Sequence, residues 1–187
     1  MVGETSGVVN NYGVSGMCPD AMIYTYPERT VEGGFRRYDA ILNAIANSSP
    51  GDVVLLEMQT SADGEPHTLV PAEFDPVVWI AVKNGTDAGV IVVGAAGNGN
   101  QDLDSANYAD YMARGDSGAI IVGAGSNTVN HDKLGLSSYG SRVNLQGWGT
   151  SVFTLGYGNF AEYGGDKNQR YTASFNGTSS ASAFVAS

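Results

Sequence analysis

Three short stretches combine side chains and backbone settings that could do chemistry. In Phe175-Asn176-Gly177-Thr178-Ser179-Ser180-Ala181-Ser182 a strand-like piece runs into a Gly-Thr-Ser turn and then into small residues that read as a helix. A serine there has its hydroxyl and its backbone N–H at a helix start, where the partial positive charge stabilises a developing oxyanion. Ser and Thr at such positions also serve as plain helix caps. The second stretch, Gly94-Ala95-Ala96-Gly97-Asn98-Gly99-Asn100, has the glycine spacing of a dinucleotide loop. No amphipathic helix follows Asn100, and Gln101-Asp102-Leu103-Asp104 puts acid where a pyrophosphate would need a helix N-terminus, so a nucleotide site is set aside. The third, Gly115-Asp116-Ser117-Gly118, has the composition of a serine-nucleophile loop. It precedes an apolar strand of parallel type, has no matching histidine or cysteine context upstream, and is read as a turn.

The elements that would position these loops are legible from apolar runs. Val53-Val54-Leu55-Leu56, Val90-Ile91-Val92-Val93 and Ala119-Ile120-Ile121-Val122 read as strands buried on both faces. Phe35, Tyr38, Ile41, Leu42 and Ile45 recur at helical spacing and predict a helix over 34–47, ended by Ser48-Ser49-Pro50-Gly51. A second helix is predicted over 73–88, with Pro76 in its first turn and Gly89 just past its end. Strand, helix, strand in this order predicts right-handed crossovers, hence an α/β fold whose mainly parallel central sheet is flanked by helices in three layers. In such a sheet ligands sit beyond the carboxyl ends of the strands, where the second stretch lies. From Ser126 onward the pattern changes to short β-prone pieces at 142–145, 150–155 and 171–175 between glycine-rich turns.

Composition removes whole classes of function. Lys plus Arg number 9 against 19 Asp plus Glu, and the formal net charge of −10 repels phosphate backbones and anionic headgroups. Nucleic acid and membrane-surface roles are therefore set aside. At 187 residues the chain is long enough for one domain with its own core. Its 42% hydrophobic content argues against disorder. Glycine, at 26 residues, is about twice its usual share, which implies tight turns and close backbone approaches. A single cysteine, Cys18, excludes an internal disulfide framework. No apolar run nears the ~18 residues a membrane helix needs, and the first residues show no basic start followed by an apolar stretch.

Taken together and in order, the stretches resemble the subtilisin-like serine proteases. Gly177-Thr178-Ser179-Ser180-Ala181-Ser182 is similar to that family's nucleophile motif, and Ala95-Ala96-Gly97-Asn98 to the segment supplying its oxyanion-hole asparagine. Gly13-Val14-Ser15-Gly16-Met17-Cys18-Pro19-Asp20-Ala21 resembles its Gly-Val-Ala-Pro-x-Ala lead-in, and Asp52-Val53-Val54-Leu55-Leu56 its substrate-flanking strand. Ser137-Ser138-Tyr139-Gly140, with Val143-Asn144 and Gly147-Trp148-Gly149, resembles its Ser-Asn-Tyr-Gly element. The resemblance implies a subtilisin-like fold and a serine endopeptidase, with Ser179 as nucleophile and Asn98 as side-chain oxyanion donor. It also implies a primary specificity pocket lined by Glu57, Met58 and Gln59 on one side and Ala95, Ala96 and Gly97 on the other. Glu57, Met58 and Gln59 stand where the family usually shows Ser, Leu and Gly, so its pocket preference does not carry over. Ala183 replaces a proline and lets the helix continue.

A serine hydroxyl needs a histidine base oriented by a carboxylate. The family carries both upstream of the Gly-Val-Ala-Pro element, and Met1-Val2-Gly3-Glu4 resembles residues just beyond its histidine. The expectation is a single peptidase domain over 1–187, incomplete at both ends and inactive as it stands. His67 and His131 lie in loops without that context and read as surface residues. No cofactor is required. Val9-Asn10-Asn11-Tyr12-Gly13-Val14 resembles the calcium loop of some subtilases, one residue shorter, and offers only part of the six to eight oxygens calcium wants. It is read as a solvated loop. The implied partner is a polypeptide substrate and the implied location secreted or extracytoplasmic. The alternative is a non-catalytic pseudoprotease or peptide-binding module on the same fold.

Overall fold

The computed structural model describes residues 2–7, 9 and 13–187. In chain order its first half comprises α1 (Val2–Thr5), β1 (Arg29–Thr30), β2 (Gly34–Phe35), α2 (Arg37–Ala46), β3 (Val53–Leu56), β4 (Gln59–Ser61), β5 (Leu69–Pro71), α3 (Pro76–Asp87) and β6 (Ile91–Ala95). The second half adds α4 (Ala109–Met112), β7 (Ile120–Gly125), β8 (Leu145–Trp148), β9 (Val152–Leu155), β10 (Ala161–Glu162), β11 (Arg170–Phe175) and α5 (Thr178–Ala186). Strands β3, β6, β7 and β8 form a sheet in that order, every neighbouring pair parallel, with Val53 opposite Ile91, Val93 opposite Ile120 and Val122 opposite Leu145. Alternation along each strand divides the core into two layers. Val92 and Ile121 point to one face, where Ile41 of α2 and Val78, Ala81 and Val82 of α3 cover them. Val93, Val122 and Ala124 point to the other, against Ala181 of α5. Helices thus flank a parallel sheet on both sides, as the strand and helix order predicts.

Several boundaries differ from the sequence reading, each for a local reason. The first helix starts at Arg37 rather than 34, because Gly34–Phe35 pairs instead with Arg29–Thr30. Its covered face is Ala40, Ile41, Ala44 and Ile45, while Tyr38 and Leu42 are exposed; Leu42 sits about 100° around the axis from Ile41. The second helix breaks before Pro76. Asp75 is held extended ahead of the proline and its carboxylate accepts from Val77 N–H at 2.8 Å, capping the helix, while Ala72–Phe74 form a separate short turn. Among the described residues β3 is an edge strand, so Val53 is 46% exposed and the run is not buried on both faces. The Val90 and Ala119 runs continue as strand to Ala95 and Gly125. The strand expected at 142–145 runs instead over Leu145–Trp148, since Arg142 is used elsewhere. Asn10, Asn11 and Tyr12 of the calcium-like loop lie outside the described residues.

Arg142 enters a buried polar cluster that composition gave no hint of. Glu73 Oε1 accepts from Arg142 Nε at 2.8 Å and from the Tyr111 hydroxyl at 2.6 Å, while Oε2 accepts from Ser117 at 2.5 Å. The guanidinium also donates to Ala119 O, Asn144 Oδ1 and Ser117 Oγ. Ser117 of the Gly-Asp-Ser-Gly stretch is fully buried here as a structural link between chain segments, consistent with its exclusion as a nucleophile. Removing one partner of a buried ion pair strands the other charge, a loss of about 3–5 kcal/mol. Glu73→Ala is therefore expected to lower the urea midpoint by that much stability; a change under about 1 kcal/mol would show the cluster to be dispensable.

Candidate active site

The N-terminus of α5 is brought to the carboxyl edge of the sheet by close backbone packing. A Cβ on Gly147 of β8 would lie 2.4 Å from Ala181 O of the helix, so only glycine admits this approach. Gly177, the residue before α5, has φ +99°, and its N–H donates to Gly149 O at 2.8 Å. Facing it, the loop after β6 presents Asn98, whose Nδ2 would be 3.0 Å from any Cβ at position 177.

The contacts between these two segments are specific. Asn98 Oδ1 accepts from both the backbone N–H and the hydroxyl of Thr178, each at 2.9 Å. The Thr178 hydroxyl in turn accepts from Gly97 N–H at 3.2 Å. With Oδ1 committed to Thr178, the Nδ2 donors of Asn98 remain, 3.0 Å from where a Cβ on Gly177 would lie. Ser179 is half-buried, and its hydroxyl donates to the carbonyl oxygen of Glu57 at 3.0 Å. Its N–H belongs to the first helical turn, whose amides have no partner within the helix. A serine hydroxyl, the N–H groups of a helix start and a side-chain amide are the kinds of group that hold an oxygen gaining negative charge, and the two paired segments supply all three.

The other predicted residues divide. Gln59 comes to this site, its Oε1 accepting from Asn98 N–H at 2.8 Å. Glu57 contributes its carbonyl to Ser179, and Ala95, Ala96 and Gly97 form the buried end of β6 and the start of its loop. Met58 packs against the α2/α3 side of the core. His67 and His131 are exposed, His131 with its ring 6.4 Å from that of Trp148, and the Ser179 hydroxyl bonds to neither. Ala183 is buried within an unbroken α5. Among the described residues no group of three His, Cys, Asp or Glu could hold a metal ion.

Two features escaped sequence reasoning. The bridge from Gln59 to Asn98 was signalled only by a glutamine standing where the resemblance expects glycine. The Glu57 side chain is largely buried, and among the described residues its Oε1 has no hydrogen-bond partner. Burial pushes this carboxyl up to about 8, and the nearby Glu4 carboxylate adds to the effect. Glu4 itself is buried and accepts from the Ser180 hydroxyl at 2.7 Å, fastening α1 to the same turn of α5.

Comparison with known proteins gives a family and a fold. A sequence model of the Subtilase family matches residues 1–187. The epidermin leader peptide processing serine protease (EpiP) of Staphylococcus aureus superposes with a TM-score of 0.66 at 16% identity, over 98% of this chain and 49% of that one. A lanthipeptide protease gives 0.55 at 17% identity over 90% and 54%, and a cold-adapted subtilisin-like serine proteinase 0.51 at 18% over 80% and 44%. The chain therefore spans about half the length of these structures, and at such identities the likeness speaks to fold. No curated protein matches.

The Glu57 carboxyl carries a pH signature. With its value raised from 4.5 to about 8, the folded protein keeps a proton that the unfolded chain releases. Its stabilising contribution is complete below the unfolded value, declines as pH rises through that window, and is flat above about 8. Glu57→Gln, neutral throughout, is expected to lose less thermal stability than the unsubstituted chain between about pH 5 and about pH 8.5. Equal losses in the two proteins would show that Glu57 is ionised in the fold.

Proposed function

Because the chain belongs to the subtilase family, we propose that it forms the nucleophile-bearing part of a serine endopeptidase, with Ser179 attacking the peptide carbonyl and Asn98 holding the resulting oxyanion. The observation that carries this reading is the pair of hydrogen bonds from Thr178 to Asn98 Oδ1, which fixes the carboxamide against the turn that starts with Thr178 and contains Ser179. Ser179 Oγ bonds to the carbonyl carbon, and the carbonyl oxygen takes up the negative charge between Ser179 N–H and Asn98 Nδ2. Collapse expels the amine and leaves an acyl-enzyme that water then hydrolyses. The proton leaving Ser179 needs a base, and no imidazole among the described residues accepts from its hydroxyl. The reading assigns that proton to a histidine outside these 187 residues, in keeping with a chain about half as long as the structures it resembles. A triad member is worth several powers of ten in rate, so the 187 residues alone are expected to cleave peptides only at background.

The substrate in this reading is a polypeptide. Glu57 and Gln59 on one side and Ala95, Ala96 and Gly97 on the other border the place where its side chain enters. The acidic charge of −10 and the family favour an extracytoplasmic location; among the described residues no helix is long and apolar enough to cross a membrane. A second reading is favoured by one observation: the Ser179 hydroxyl is engaged by a backbone carbonyl rather than by a base. It makes the chain a non-catalytic module that binds peptides through the same groove.

Hydrolysis of a fluorogenic peptide by the protein carrying this chain separates the two. Ser179→Ala is expected to abolish turnover, and Asn98→Ala to lower kcat by about 10²–10³ with little change in KM. Peptide binding without any Ser179-dependent turnover would instead establish the non-catalytic module.

A further inference from the structure

The loop leaving β6 makes almost no hydrogen bonds with itself. Its successive N–H groups donate to five separate places: Ala96 to Val122 O at 2.9 Å, Gly97 to Thr178 Oγ1 at 3.2 Å, Asn98 to Gln59 Oε1 at 2.8 Å, Gly99 to Leu69 O at 3.0 Å, and Asn100 to Leu136 O at 2.8 Å. Two of these acceptors are side chains. One, Thr178, belongs to the helix that bears Ser179; the other, Gln59, belongs to β4.

From this we infer that Gln59 is a positioning residue for the oxyanion donor, a role that rests on the peptidase reading given above. The direction in which Asn98 Nδ2 points is set at two ends. Thr178 holds the far end through Oδ1, and Gln59 holds the near end by fixing the backbone N–H. The orientation of the Gln59 carboxamide is itself determined, since an N–H donor requires the oxygen and not the nitrogen on its side. Without that acceptor, the half-buried Asn98 N–H has to turn toward water. The peptide then pivots about the Thr178 tether and carries Nδ2 off line. Hydrogen bonds weaken steeply with misalignment, so part of the value of the donor goes with it. Glycine, which the resemblance expects at this position, has no side-chain acceptor, and asparagine is one methylene shorter. The length and the oxygen of glutamine are both used. The same bond joins β4 to the Asn98 loop, so these two segments keep a fixed separation.

Gln59→Met keeps the length and most of the volume of the side chain but removes the acceptor. With one fluorogenic peptide and the protein carrying this chain, kcat is expected to fall about tenfold. Amide hydrogen exchange at Asn98 is expected to speed up roughly tenfold, the worth of one net hydrogen bond, with exchange at Ala96 and Gly99 unchanged. An unchanged kcat, with hydrolysis still dependent on Ser179, overturns the role of Gln59 and leaves the peptidase reading standing. A fall in kcat without faster exchange at Asn98 overturns it as well, since the loss then comes from general destabilisation. No Ser179-dependent hydrolysis in the unsubstituted protein overturns both.

Discussion

The tie between the Asn98 carboxamide and the first turn of α5 is the interaction around which the candidate site is arranged. A helix begins with amides that have no internal partner, and burying such a start without acceptors is costly. Here one side-chain oxygen takes two donors from Thr178, one of them the first helical N–H. That satisfies the helix start, and it also orients the remaining amide hydrogens of Asn98 and fixes how near α5 comes to the loop after β6. The glycine at 177 is the local price, because its φ of +99° disfavours a side chain and a Cβ there would crowd the carboxamide at 3.0 Å. Ser179, one residue beyond Thr178, turns its hydroxyl to the carbonyl of Glu57.

Two buried carboxyls illustrate opposite uses of charge in one small fold. Glu73 is saturated by Arg142, Tyr111 and Ser117, and it joins the end of β5 to the loops that flank β7. That cluster is scaffold, since every oxygen is satisfied and the guanidinium is closed in. Glu57 is the contrary case, a largely buried acid with an oxygen that finds no donor among the described residues. An acid in that state is held neutral by its surroundings and stays responsive to them. It sits where its own carbonyl receives the Ser179 hydroxyl, so the short link between β3 and β4 that carries it meets both the helix turn and the protonation of its side chain.

The legible part of the molecule was what local pattern controls. Apolar runs located three of the four parallel strands to within a few residues, and proline at 76 with glycine at 89 bracketed α3. Ordered short motifs pointed to Ser179 and Asn98, and the fold sets their segments against each other. What escaped depends on pairing across long distances. The stripe assigned to α2 included Tyr38 and Leu42, whose exposure is decided by where α3 lies and not by spacing in their own helix. Arg142 read as the start of a strand, because nothing near it in sequence announces Glu73, 69 positions earlier. Gln59 was visible only as a departure from an expected glycine; its acceptor role needed the Asn98 loop to be in place.

The contacts that build the cleft join residues very far apart along the polymer. Thr178 and Asn98 are separated by 80 positions, Ser179 and Glu57 by 122, and Ser180 and Glu4 by 176. Closing such loops requires chain entropy to be lost before these bonds give anything back, and folding slows as the mean separation of contacts grows. The parallel sheet and its α3 layer rest on shorter spans and can condense first. The serine-bearing turn is complete only when residues from both ends of the sequence have come together. A polypeptide still emerging from the ribosome holds the Glu57 carbonyl and the Asn98 carboxamide well before the turn that donates to them has been made.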